Sequence, residues 1–248
     1  MEQRKHIIDI NADVGEGIGS DADIMPYITS CSVAAGGHAG DAVTMRKTIQ
    51  LAKKHGVHVG PHPSFPDRDN FGRKLVTMTK SELFESVFQQ LLRFYAIAEE
   101  ENVSIHHIKL HGALYNYAAK DAPTADAVVE AIIASEIRPL FYVPYNSVLH
   151  RKAENLIPVA FEGFIDRKYT DDGSLVSRNQ ENALIEEASE AWEQFKSMVI
   201  SQSVKSISGN EVRIVANTFC IHGDHTKAVE FLQYIHSQLP KHQISLVQ

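Results

Sequence analysis

Short apolar runs alternate with longer amphipathic runs along this chain. The runs at 6–11, 32–35, 57–59, 107–110, 140–143, 158–161 and 217–221 are too short for helices and are bounded by turn residues, so they predict strands. Between them, 42–55 carries apolar residues at Val43, Ile49 and Ala52 and stops at Gly56, as a helix with a glycine just past its end would. The segment 79–102 is the clearest helix. Thr79 and Glu82 form a capping box, and Leu83, Phe84, Val87, Phe88, Leu91, Leu92 and Tyr95 build one apolar stripe. Further helices are predicted at 124–135, 145–156, 181–200 and 226–239, the third with Leu184, Ala188, Trp192 and Phe195 on one face. Residues 204–215 interrupt the alternation and read as a hairpin turning at Ser208-Gly209-Asn210.

Seven strands alternating with helices imply an α/β fold with a parallel sheet and right-handed crossovers, here one domain over 1–248. Periodicity alone does not separate an open sheet from a closed one. Polar groups follow nearly every strand, which favours a closed seven-stranded β/α barrel, because an open sheet concentrates its site at one switch point.

Those polar groups are distinctive. His38 follows the second strand in Gly36-Gly-His-Ala-Gly-Asp41, His62 follows the third between two prolines, His111 follows the fourth in Lys109-Leu-His-Gly, and His222 closes the last in His222-Gly-Asp224. The first strand leads into Asn11-Ala-Asp13-Val-Gly-Glu16, which reads either as a solvated turn or as a carboxylate set at the rim. Lys109 alternates to the same side as His111, and a buried lysine needs a partner. Arg68 and Arg73 lie in a polar loop and offer forks for a carboxylate, or pair with neighbouring acids. The long loop from Glu162 contains too many aromatic and apolar residues for disorder.

Other classes fit less well. A net charge of −7 argues against nucleic acid as a partner. No window approaches a membrane-spanning run, and the first residues lack the apolar stretch of a signal peptide, so a cytoplasmic protein is expected. Cys31 and Cys220 sit in or beside strand-like runs and read as buried thiols. Gly17-Ile-Gly19-Ser-Asp-Ala22 matches a dinucleotide fingerprint in form only, since Asp21 and Asp23 would repel a pyrophosphate. No Walker A sequence exists, so a site for ATP is not locatable in this chain. No local metal-binding signature exists either, and whether strand-end ligands hold a metal stays open.

Taken together, the segments 9–17, 37–41, 61–73, 109–116, 166–176 and 220–224 resemble the LamB/YcsF family, in order and over nearly the whole chain. Leu110 and Ala42 stand where that family tends to have proline. The resemblance implies a seven-stranded β/α barrel of the glycoside hydrolase/deacetylase type. It implies ATP-dependent hydrolysis of the lactam 5-oxo-L-proline to L-glutamate, with ADP and phosphate, together with 5-oxoprolinase subunits B and C. Opening an amide needs a base for water, an acid for the ring nitrogen and cations for developing charge. The expected catalytic set is Asp13 with His38 or His62 as base, His111 or His222 as acid, and Lys109 offsetting oxyanion charge. Asn11, Glu16, Arg68, Arg73, Tyr115, Asn116, Glu162 and Asp224 are expected around the substrate. A ligand-sensing protein without turnover and a stand-alone metal-dependent deacetylase remain as alternatives, and self-association is left open.

Overall fold

The first strand, β1 (His6–Val14), alternates polar Asp9, Asn11 and Asp13 with Ile10, Ala12 and Val14, and all six are buried. A strand can bury both faces in this way only inside a layered α/β fold. The computed structural model describes residues 5–18 and 21–247. The fingerprint-like segment lies partly outside them at 19–20, and the segment bearing on a signal peptide lies largely outside them at 1–4.

After β1 the chain forms α1 (Asp21–Ile24), β2 (Ser30–Ala34), α2 (Ala42–His55), β3 (His58–His62), α3 (Lys80–Glu100) and β4 (His107–Lys109). Then come α4 (Gly112–Ala118), α5 (Ala122–Ala134), β5 (Leu140–Val143), α6 (Val148–Ala153) and β6 (Val159–Phe164). The last part holds α7 (Ala188–Ser201), the hairpin strands β7 (Ser203–Lys205) and β8 (Glu211–Arg213), β9 (Thr218–His222), α8 (Ala228–Gln238) and β10 (Ile244–Leu246). Among the described residues, seven parallel strands run in the order β3-β2-β1-β9-β6-β5-β4, and β10 adds to the start of β1.

The sheet curls until its edges meet, giving the nearly closed barrel that the strand-end pattern predicts. β3 and β4 join through the Val59–Ile105 bridge, the bond from His106 N to Val59 O (2.9 Å) and the bond from His111 N to Pro63 O (2.9 Å). Gly60 makes this seam possible: a Cβ there would lie 2.2 Å from His107 O.

The predicted elements are present, with instructive shifts. α2 keeps its bounds, Gly56 ends it with φ 69°, and the Thr79–Glu82 capping box is formed. β3 runs on to His62, so this histidine is part of the strand rather than of the loop beyond it. The helix expected at 181–200 starts only at Ala188. The backbone of Ala183 and Ile185 bonds to Lys168 and Asp166, and Leu184 bridges Arg167, so the segment clamps the β6 loop instead of winding into helix. Both thiols are free and buried. Among the described residues no helix is long and apolar enough to cross a membrane.

Candidate active site

Parallel strands put all their C-terminal ends on one rim, and the strand-end side chains converge there. Asp13 is the last residue but one of β1, His62 ends β3, Lys109 and His111 end and follow β4, Glu162 lies in β6 and His222 ends β9. They meet around the ammonium of Lys109, which is 2% exposed. Its Nζ lies 2.7 Å from Asp13 Oδ1, 2.9 Å from Glu162 Oε1, 3.1 Å from Asn11 Oδ1 and 3.0 Å from Cys220 Sγ. Burial alone would favour neutral groups. Here burial is outweighed for Asp13 by the charges of His62 and Lys109, which hold its carboxyl well below the usual range. For Lys109 the acids opposite outweigh burial and keep the ammonium protonated.

The histidines are fixed by backbone carbonyls. His62 Nδ1 donates to Lys109 O (2.8 Å) and His111 Nε2 donates to Phe71 O (2.9 Å). A carbonyl only accepts, so these bonds set the tautomers. The remaining nitrogens, His62 Nε2 and His111 Nδ1, face each other at 3.0 Å, with Asp13 Oδ2 3.3 Å from the first and Glu16 Oε1 3.4 Å from the second. Two bare lone pairs repel at that distance, so the pair is built to hold one proton or one cation. His38 stacks on His111 with ring centroids 3.6 Å apart, and its Nε2 lies 3.0 Å from Glu16 Oε1. Burial and the neighbouring His62 push His38 down to about 2, and burial with the other imidazoles holds His111 well below its ordinary value. Burial and the nearby Asp13 and Asp224 charges raise the Glu16 carboxyl well above the usual range, so Glu16 keeps its proton.

The loop after β3 seats this group. Gly72 has φ 61°, and a Cβ on it would lie 2.9 Å from His38 Cβ and 3.0 Å from His111 Cδ2. Arg68 is exposed and donates to the carbonyls of Gly36 and Gly40. It therefore clips the His38 loop and does not line the cavity as a substrate clamp. Arg73 does line it, paired to Asp224.

A cavity of about 360 Å³ opens over this floor, lined among others by Asp13, Lys109, His111, Tyr115, Asn116 and His222. A second, of about 790 Å³, shares Tyr115, Asn116 and Phe164 with it and reaches Glu162. His38, His62 and Glu16 sit behind the floor. Buried Tyr115 Oη and Glu162 Oε2 make no well-aligned hydrogen bond among the described residues, and burial together with the neighbouring Glu162 carboxylate holds the Tyr115 hydroxyl protonated.

One pair carries no sequence signal of its own. Asp166 accepts from His222 Nδ1 at 2.9 Å and from its backbone N at 3.1 Å. The imidazole outweighs burial and keeps the Asp166 carboxyl below the usual range. The dyad fixes the His222 ring and leaves Nε2 unengaged by Asp166. The hints in the sequence are the length of the loop beginning at Glu162 and the family-like segment that Asp166 opens, and neither assigns Asp166 a role.

Asp13, His62 and His111 also offer three ligand atoms within 4.8 Å of one another, a donor set suited to zinc-like ions. The facing lone pairs fit such an ion, which when bound would polarise a carbonyl and acidify water. Lys109 on the other oxygen of Asp13 already neutralises that carboxylate and weakens the attraction for a second cation.

Known proteins share this sequence and this fold. The chain is 41% identical over 245 residues to the A subunit of 5-oxoprolinase from Shouchella clausii, covering 96% of this chain and 97% of the relative. It is 39% identical to the corresponding 5-oxoprolinase protein from Pyrococcus horikoshii, covering 97% and 96%. A crystal structure of a lactam utilization protein from Thermus thermophilus superposes with a TM-score of 0.90 at 32% identity, covering 97% and 98%. A family 4 carbohydrate esterase from Streptomyces lividans shares the fold alone, with a TM-score of 0.53 at 8% identity over 99% of this chain and 93% of the esterase. Residues 8–248 match the description LamB/YcsF family, and with relatives this similar over nearly their whole length, the chain belongs to that family.

Proposed function

We propose that the chain hydrolyses the amide bond of 5-oxo-L-proline to give L-glutamate, as the A subunit of an ATP-dependent 5-oxoprolinase working with subunits B and C in the cytoplasm. The observation that carries this reading is the Lys109-centred cluster at the cavity floor, in a chain whose relatives bear that name. Water adds to the ring carbon of the phosphorylated amide, the carbon–nitrogen bond breaks with a proton passing to nitrogen, and a second water cleaves the acyl phosphate that remains, releasing phosphate and leaving glutamate.

His222, oriented by Asp166, removes the proton from water. His111, the member of the pair that lines the cavity, passes a proton to the leaving nitrogen and is resupplied from His62 behind it, while Lys109 offsets the negative charge that develops on oxygen. This revises the roles expected from sequence. Asp13 is an ion-paired carboxylate that positions Lys109 and His62, and His38 is packed behind His111 without reaching the cavity. In this reading ATP activates the amide by phosphorylation, a step assigned to the assembly of this chain with subunits B and C.

The test is glutamate and phosphate release from 5-oxoproline by subunits B and C with and without this chain. Release only when the chain is present supports the reading, and equal release without it removes the chain from the reaction. A second reading, a stand-alone metal-dependent deacetylase, is favoured by the Asp13, His62 and His111 donor set. Acetate release from an acetylated sugar by the isolated chain, abolished by a chelator, would favour it instead.

A further inference from the structure

Arg167 follows β6 on a backbone that is tied down. Gln194 Nε2 donates to Arg167 O at 2.8 Å, and Leu184 bridges Arg167 from the clamping segment. From this fixed base the side chain reaches the wall of the cavity of about 360 Å³. It is 6% exposed, Nη2 donates to Val176 O at 2.5 Å, and the buried Nε has no partner among the described residues. A rigid cation with an open donor edge is how a protein presents a clamp.

The acids nearby are engaged elsewhere. Asp166 holds His222, and Asp224 pairs with Arg73 and Arg178. Lys74 is exposed to solvent and screened by it. Burial and the adjacent Arg178 guanidinium lower Arg167 to about 10, so the chain itself does not offset the loss of water around this cation. A buried guanidinium is costly unless an anion completes it. One open edge of one guanidinium matches one planar carboxylate. A cavity of about 360 Å³ is at the small end for ligand sites, which suits a single small ring.

We infer that Arg167 is the specificity-determining residue of this site: its guanidinium takes the carboxylate of a cyclic amide acid, and a lactam without that charge binds far more weakly. The inference rests on the amide-hydrolase reading and names what that site selects. In 5-oxo-L-proline the carboxylate is on the carbon bonded to the ring nitrogen, across that nitrogen from the carbonyl. Arg167 on the carboxylate and Lys109 at the carbonyl oxygen therefore hold the amide between two cations. None of the expected substrate-binding positions included Arg167, because a lone arginine in a long loop carries no local signal.

The test is calorimetric titration of the full chain with 5-oxo-L-proline and with its uncharged amide, 5-oxo-L-prolinamide. Wild type is expected to bind the acid at least about tenfold more tightly, the worth of hydrogen bonds to a charged group. Arg167→Met should abolish that preference and leave the affinity for the amide near wild type. Arg167→Lys keeps the charge without the fork and answers the question if Arg167→Met does not fold; at least about threefold of the preference should go. Equal binding of acid and amide by wild type overturns the assignment, as does a preference that survives in the variants. Equal weakening of both ligands overturns it too, since Arg167 would then only prop the Val176 loop. Where the isolated chain binds neither ligand, the same titration of its assembly with subunits B and C decides, and no binding there also overturns it. The titration needs no turnover, so a chain that prefers the acid but fails the glutamate-release test keeps the carboxylate site and loses the hydrolase reading.

Discussion

β1 carries two buried aspartates, four residues apart and both turned into the barrel, and their surroundings differ completely. Asp9, near the closed end, accepts from hydroxyls: Thr29 at 2.5 Å, and Ser30, Thr218 and Tyr142 at 2.8, 2.5 and 3.2 Å. Asp13, at the mouth, faces an ammonium and an imidazole and lines a cavity. Asn11 stands between them and links the two layers, donating to Thr218 Oγ1 below and Glu162 Oε1 above. Hydroxyl donors saturate a carboxylate and hold the staves of the barrel together. A mobile proton, a cation and an open space make the same side chain chemical. A buried acid is thus a site only when its partners can change charge and a ligand can reach them.

The comparison can be broken most forcefully at the mouth. His111→Ala or His62→Ala is expected to lower turnover of the assembled enzyme by about 10²–10⁴-fold, the usual worth of a positioned acid or base. Circular dichroism and the unfolding midpoint should stay near wild type. Near-normal turnover in either variant removes that residue from the chemistry.

Asp9→Ala should do the reverse. It strands several buried hydroxyls and should cost about 3 kcal/mol in denaturant unfolding. Any loss of activity should follow the loss of folded protein. A rate defect in fully folded protein would mean the closed end contributes to catalysis.

Gly60→Ala probes the seam that lets the layers form. Its new methyl would meet the His107 carbonyl, so β3 and β4 must part, at about 2 kcal/mol or more. Unchanged stability would show that the barrel closes without this contact.

The gentlest probe is pH. Folded His38 and His111 resist protonation, whereas their unfolded counterparts take up protons below about pH 6.5. The unfolded state then binds more protons, so stability falls as pH drops from 7 towards 5, by at most about 1.4 kcal/mol per pH unit for each histidine. His38→Gln should remove its share of that slope, as read from unfolding midpoints across the range.

Much of this is legible in the chain because strand-end positions are a local pattern. The four histidines and Asp13 each follow or end an apolar run, and parallel topology does the rest of the work of gathering them. What escapes is tertiary or short. α4 has seven residues and β10 three, too few for a periodic signal. The two prolines around His62 suggest a loop, yet β3 lies at the seam with few ladder bonds, where a missing N–H costs little. Leu184 fits a helical stripe but is claimed by the backbone of the β6 loop. Asp166 and Arg167 fall in a segment that resembles the family, but nothing local gives them a role, and their meaning and that of Arg178 come from what the barrel sets opposite them. Arg68 has the makings of a ligand clamp and serves backbone carbonyls instead.

The central claim is that the charged cluster on β1 and β4 performs amide hydrolysis. It is tested most directly by glutamate release from 5-oxoproline, with subunits B and C assembled on either the wild-type chain or Asp13→Asn. The account predicts that the variant assembles normally and releases glutamate at least about 10²-fold more slowly. Equal release by the two assemblies would contradict it.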